Sequence, residues 1–149
     1  MSSPIRFDFV RKSNTLGEIS YVSYLPLSLA AGDSLVSVSG LLDTGASVNV
    51  LPYEIGLQLS LEWEKQNIAV ILAGNLAKFP AQGVILLATV AQFPSAPLAF
   101  AWTQARNIPL ILGGINFFQE FNVCFFGSQL VFEIEPKSTN NYYINDRQI

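Results

Sequence analysis

The amino-acid sequence predicts an all-β domain with one or two short helices. Three observations carry that prediction: short runs in which apolar and polar side chains alternate, turn-forming Gly, Pro, Asn and Asp residues between them, and helical spacing confined to two places. The 149 residues have room for one hydrophobic core and no length for a second of similar size.

Residues 5–10 largely alternate apolar and polar side chains, as a strand does with one buried and one wet face. Similar runs follow at 19–30 and 34–42, separated by turn formers at 14–17 and at Ala31-Gly32-Asp33, so the first third reads as antiparallel β. After it, Leu51, Ile55 and Leu59 fall four apart and Pro52 suits a first helical position, predicting a helix of one or two turns that Gly56 weakens. Glu62, Glu64 and Lys65 form a solvated face beyond it. The chain then returns to β at 68–73, 83–90 and 98–102, with breaks at Gly74-Asn75 and 94–97. Pro109 suits the first residue of a strand, and Leu110-Ile111-Leu112 continues it up to Gly113-Gly114. Ile115, Phe118 and Phe121, three apart, predict a second short helix. Residues 129–135 alternate as a last strand and Pro136 ends it, which leaves 1–136 as the domain and 137–149 as a polar tail.

Composition excludes several functions. The formal charge is −3, the sequence pI about 4.8, and the eight Lys and Arg residues are scattered, so no basic face exists for nucleic acid. Trp63, Trp102 and the phenylalanines are therefore read as core and pocket wall, not as a base-stacking surface. With 13% of residues charged and 50% hydrophobic, more apolar surface is left than a small monomer usually exposes, which favours an oligomer. The longest charge-free stretch, 79–105, is broken by Pro and Gln residues and does not form a membrane span. No basic region followed by an apolar run opens the sequence, so a cytoplasmic location is expected. Cys124 is the single cysteine, which excludes an intramolecular disulfide, and its neighbours Val123, Phe125 and Phe126 predict that it is buried.

Histidine is absent, so neither a Ser-His-Asp nor a Cys-His triad can be built within the chain, and the usual zinc sites are excluded with them. No metal and no cofactor is expected. Gly113-Gly114 lacks the further glycine spacing and the Lys-Ser/Thr pair of a phosphate loop. A hydrolase built from this chain must use carboxylates for acid and base work.

The sequence Leu41-Leu42-Asp43-Thr44-Gly45-Ala46-Ser47 supplies one. It places a carboxylate at the end of an apolar strand, then a hydroxyl residue and a glycine that permits a tight turn. In that apolar context the motif resembles the active-site loop of the pepsin and retropepsin superfamily. A second element of those enzymes, two apolar residues and a glycine leading into a short helix, is matched by Ile111-Leu112-Gly113. The resemblance covers roughly residues 19–135, and the single Asp-Thr-Gly points to the single-lobe retropepsin type. Residues 116–121 further resemble bacterial members of that group.

The resemblance implies a closed β-barrel, an acid-protease lobe, and a homodimeric endopeptidase acting on a peptide or protein substrate. Asp43 of each chain would supply half of a carboxylate pair that shares one proton, activates water and protonates the scissile carbonyl, with activity favouring acidic pH. Thr44 would hydrogen-bond across the dimer, Gly45 would let the backbone approach substrate, and Ala46 and Ser47 would complete the loop. Ser47 stands where retroviral members carry an acidic residue, in reach of an outer hydrogen bond to Asp43. Gly113 would be the structural glycine after the apolar strand. A flap would lie at Gly74, Asn75, Leu76, Ala77, Lys78 and Phe79, without the glycine-rich tip of retroviral enzymes. Chain ends commonly build the dimer sheet, which nominates 5–10 or 129–135. The rival implication is a dimerisation or peptide-binding module of the same fold with little or no proteolysis.

Overall fold

The computed structural model describes residues 3–138. The described strands are β1 (Ile5–Asp8), β2 (Val10–Ser13), β3 (Ile19–Val22), β4 (Tyr24–Ala31), β5 (Ser34–Leu42), β6 (Asn49–Leu51), β7 (Ala69–Val70), β8 (Ala81–Thr89), β9 (Ala96–Thr103), β10 (Leu110–Leu112), β11 (Phe121–Phe126) and β12 (Val131–Pro136). Two short α-helices, α1 (Tyr53–Gln58) and α2 (Phe117–Glu120), interrupt them.

Six strands close a barrel. Their order is β4-β5-β10-β6-β9-β8, and β8 returns to β4 through Ser28↔Thr89, Leu29↔Ala88 and Ala30↔Leu87. Alternation on β4 turns Leu25, Leu27 and Leu29 inward, where all three are buried, and leaves Pro26 outward. Ser23 bonds β5 through the Leu42 N–H, so even-numbered β4 positions point their N–H groups the other way. Pro26 is one of these and precedes the segment paired with β8, so its missing donor costs no ladder bond. A closed barrel also removes the free edges that an open six-stranded sheet would present.

The three-stranded sheet β1-β12-β11 lies outside the barrel and shares its core. Ile5 pairs with Ile134 and Phe7 with Phe132, whose rings stack at 5.5 Å, while Phe117 stacks on Phe121 at 4.9 Å. β2 and β3 form a separate two-stranded hairpin. No helix among the described residues is long and apolar enough to cross a membrane.

The all-β expectation with two short helices matches this architecture, and several boundaries differ. The first predicted strand divides at Phe9, whose N–H bonds the Leu130 carbonyl, and a second strand, β2, starts at Val10. The strand expected at 68–73 shrinks to Ala69–Val70, because only these residues pair with β8. The second helix stops at Glu120 instead of running through Phe121. Phe121 pairs with Pro136 and opens β11, where cross-strand bonding replaces helical spacing. The last strand begins at Val131, since Gly127–Gln129 is a 3-10 turn and Leu130 is left-handed. Pro52 is the residue before α1 and not its first turn. Cys124 is exposed, contrary to expectation. It lies on the sheet-edge strand β11, where alternation turns Phe121 and Val123 inward and Cys124 out. The predicted polar tail lies, from residue 139 onward, outside the described residues.

After α1, Glu62 hydrogen-bonds and ion-pairs with exposed Lys65, and that hydrogen bond, with the attraction of opposite charges behind it, raises the lysine above its ordinary value. Trp102 is fully buried beneath α1, stacks on Tyr53 at 5.6 Å and donates its indole N–H to the Tyr53 carbonyl at 3.1 Å. Gly56 is therefore a packing requirement of α1: a Cβ at this position would overlap the Trp102 indole. Alanine ordinarily gains about 1 kcal/mol over glycine in a helix interior, whereas overpacking an enclosed core costs about 1–3 kcal/mol. The enclosed indole has no free side to move toward, so overlap wins. Gly56→Ala is expected to destabilise the protein by about 2 kcal/mol in urea unfolding; a gain in stability would contradict the packing.

Candidate active site

The strand that positions Asp43 ends one residue before it. β10 inserts between β5 and β6, parallel to the first (Leu110↔Gly40, Ile111↔Leu41, Leu112↔Leu42) and antiparallel to the second (Ile111↔Val50). The connection from β5 to β6, residues 43–48, must therefore cross the end of β10. Asp43 extends the parallel ladder by donating its N–H to the Leu112 carbonyl at 3.0 Å. The chain then turns, with the Ala46 N–H on the Asp43 carbonyl at 3.1 Å. Asp43 Oδ1 accepts the Gly45 N–H at 3.0 Å, which fixes the half-buried carboxylate against its own turn.

The far side of the loop is zipped to the segment after β10. Gly114 donates to the Ala46 carbonyl at 2.9 Å, Ile115 to the Ser47 carbonyl at 2.8 Å, and Asn49 to the Ile115 carbonyl at 3.0 Å. Gly113 lies directly beneath. A Cβ there would stand 2.5 Å from the Val48 oxygen and 2.8 Å from the Ala46 oxygen, closer than any side chain is tolerated. The glycine after the apolar strand is thus demanded by close backbone approach.

Asn49 completes the support and sequence reasoning missed it. It is wholly buried; its Oδ1 accepts the Gly113 N–H at 2.7 Å and its Nδ2 donates to the Ala99 carbonyl at 2.9 Å and to Asn116 Oδ1 at 3.3 Å. Asn116 in turn accepts the Ala99 N–H at 2.8 Å and donates to the Pro97 carbonyl at 3.1 Å. The available signal was one amide inside the apolar run Val48-Asn49-Val50-Leu51. A buried polar group in such a run must find partners.

Asp43, Gly45 and Ala46 are therefore joined by the turn, and Ala46 and Ser47 are joined to Gly114 and Ile115. Thr44 and Ser47 are exposed. Among the described residues the Asp43 carboxylate accepts from the Gly45 N–H and not from the Ser47 hydroxyl. The predicted flap residues occupy the turn between β7 and β8, in the order expected but with a different form. Gly74–Leu76 is a 3-10 turn with Gly74 left-handed (φ 63°), and the Phe79 N–H bonds the Leu76 carbonyl at 3.0 Å. Leu72 anchors this segment in a small cluster with Val50 and Ala101. No hydrogen bond among the described residues links 74–79 to the Asp43 loop. No three His, Cys, Asp or Glu side chains among the described residues converge on a metal-sized site.

No protein-family model and no curated protein matches the sequence. Solved structures do match. A retropepsin-like aspartic protease from Rickettsia conorii is 15% identical, with 90% of this chain and 94% of that chain covered at a TM-score of 0.57. The retroviral protease-like domain of Ddi1 from Leishmania major is 12% identical, with 80% of this chain and 97% of that chain covered at a TM-score of 0.55. At such identities the likeness speaks of the fold alone. The closed six-stranded barrel with its two short helices has the retropepsin-like fold.

Proposed function

We propose that residues 1–136 form one half of a homodimeric aspartic endopeptidase in which Asp43 and its symmetry mate make the catalytic pair. The observation that carries the reading is the placement of Asp43: a half-buried carboxylate at a strand end, held by the Gly45 N–H in a loop hydrogen-bonded along its far side. One oxygen is thereby oriented by its own turn. Loop geometry of this kind supports chemistry because the group is positioned before substrate arrives.

In the proposed reaction one carboxylate of the pair takes a proton from water as the water oxygen attacks the scissile carbonyl carbon. The other, protonated, carboxyl gives its proton to the carbonyl oxygen. Collapse of the resulting diol breaks the C–N bond: the proton taken from water passes from the first carboxyl to the leaving nitrogen, and a diol hydroxyl gives its proton to the second carboxylate, which restores the pair. Both roles need two carboxyls with one proton between them, which one Asp-Thr-Gly per chain supplies only in a dimer. The chain's low charge and its apolar composition fit both an oligomer and an apolar substrate cleft, with 74–79 as the segment that would close over the peptide.

Asp43→Asn preserves the shape of the loop and removes the shared proton. Cleavage of a denatured protein at mildly acidic to neutral pH is expected to fall by at least about a thousandfold while the unfolding midpoint changes little. Equal activity in the two proteins would end the assignment of Asp43. Failure of both to cleave would favour a peptide-binding module of the same fold.

Asn49→Leu tests the support beneath the loop. It leaves the buried Gly113 N–H without its 2.7 Å acceptor, an expected loss of about 2 kcal/mol in urea unfolding. As a positioning residue it should lower kcat more than it raises KM; an unchanged kcat would reduce Asn49 to a stability role.

A further inference from the structure

We propose that the β2–β3 hairpin is an arm that clasps a second copy of this chain beside the Asp43 loop. The proposal rests on the dyad reading above and names the surface that holds the two copies together.

The hairpin is built with care and buries almost nothing. Its turn is closed by Asn14, whose Oδ1 accepts the Leu16 N–H at 2.9 Å and the Glu18 N–H at 3.0 Å, while Gly17 takes a left-handed φ of 80°. Four cross-strand pairs, from Val10↔Val22 to Ser13↔Ile19, fix the register. Yet seven of the eight strand residues are exposed, and neither strand pairs with any other described strand. A lone two-stranded hairpin is marginal in water and presents two free edges, so a register this well specified calls for a covering surface.

Its two faces differ. On one, Lys12 Nζ donates to the Tyr24 hydroxyl at 2.8 Å and sits 4.9 Å from the centre of that ring, tethering the arm to the root of β4. The opposite face carries Ile19 and Tyr21, exposed by 52% and 45%, with Leu16 at the tip exposed by 81%. These apolar side chains have the exposure of an interface and no partner within the described chain.

Position in the fold selects the occupant. Ser23 joins β3 to β4, and its carbonyl accepts the Leu42 N–H at 3.0 Å, so Val22 stands one step on, level with Asp43. Val10 pairs with Val22. The root of the arm therefore adjoins the proposed catalytic carboxylate. A shared-proton pair brings two carboxyls to within about 3 Å, which carries the second copy's surface up to that root. By two-fold symmetry each arm would lie on the other chain, and the Ile19/Tyr21 face is the one left free to do so.

Sedimentation equilibrium of the full chain over a range of concentrations tests this, with Asp43→Asn in every protein to prevent self-cleavage. The double variant Ile19→Lys and Tyr21→Lys is expected to raise the dimer Kd by about tenfold or more. Leu35→Lys, on a more exposed apolar residue at the opposite end of β5, should leave it unchanged. Amide exchange of the chain with the arm intact supplies a reading free of substitutions at the arm: protection at 19–22 should grow with dimer concentration. A wild-type arm on a chain that stays monomeric at all concentrations would sink the dyad reading itself. A dimer whose Kd ignores the double variant, or responds equally to Leu35→Lys, would overturn the arm and leave the dyad standing. An unchanged Kd with a raised KM in the Asp43-containing enzyme would also overturn it, making the hairpin a wall of the substrate cleft.

Discussion

The structure around Asp43 depends on one crossing: the 43–48 connection passes over the end of β10, with backbone packed on backbone. That crossing follows from placing β10 between β5 and β6, since a chain leaving the first for the second has no other short path. It is possible only because residue 113 lacks a side chain, and it is stabilised because the peptide groups brought together bond one another, from Ala46 to Gly114 and from Ser47 to Ile115. The buried Gly113 N–H in the crossing is satisfied by Asn49. Each of these features would be costly alone, and together they hold a carboxylate at a strand end.

The rest of the fold gives this crossing a rigid base. Barrel closure between β4 and β8 fixes β5, and β5 fixes β10 through its parallel ladder. The Asn49–Asn116 pair ties β6 and the start of α2 to β9. On the other side of the core, the β1-β12-β11 sheet packs Phe132 and Ile134 against the same apolar cluster. Two exposed segments, the β2–β3 arm and the turn between β7 and β8, lie outside this base. Segments with few buried neighbours are free to be shaped by what binds them.

Much of the fold was legible because it is encoded locally. Alternation on β4 and β5, the apolar triplet of β10 and the turns at Asn14 and Gly32 each read directly as what they form. What failed to read was set by partners distant in sequence. Phe121 fits a helical spacing but lies in a strand because Pro136 stands opposite, and Cys124 is exposed because β11 is a sheet edge. The three residues of β6 carry too short a pattern to announce a strand and gain their conformation from β9 and β10.

For the site, the sequence by itself determined the candidate: with no histidine and one Asp-Thr-Gly after an apolar run, Asp43 is the carboxylate that stands out. Residue identity limits chemistry directly, so this much needs no coordinates. Tertiary structure alone decided why Gly56 and Gly113 admit no side chain, why Asn49 is buried, and where the β2–β3 arm emerges relative to Asp43. Those properties are distances between segments up to tens of residues apart, and a one-dimensional pattern does not contain them until the barrel closes.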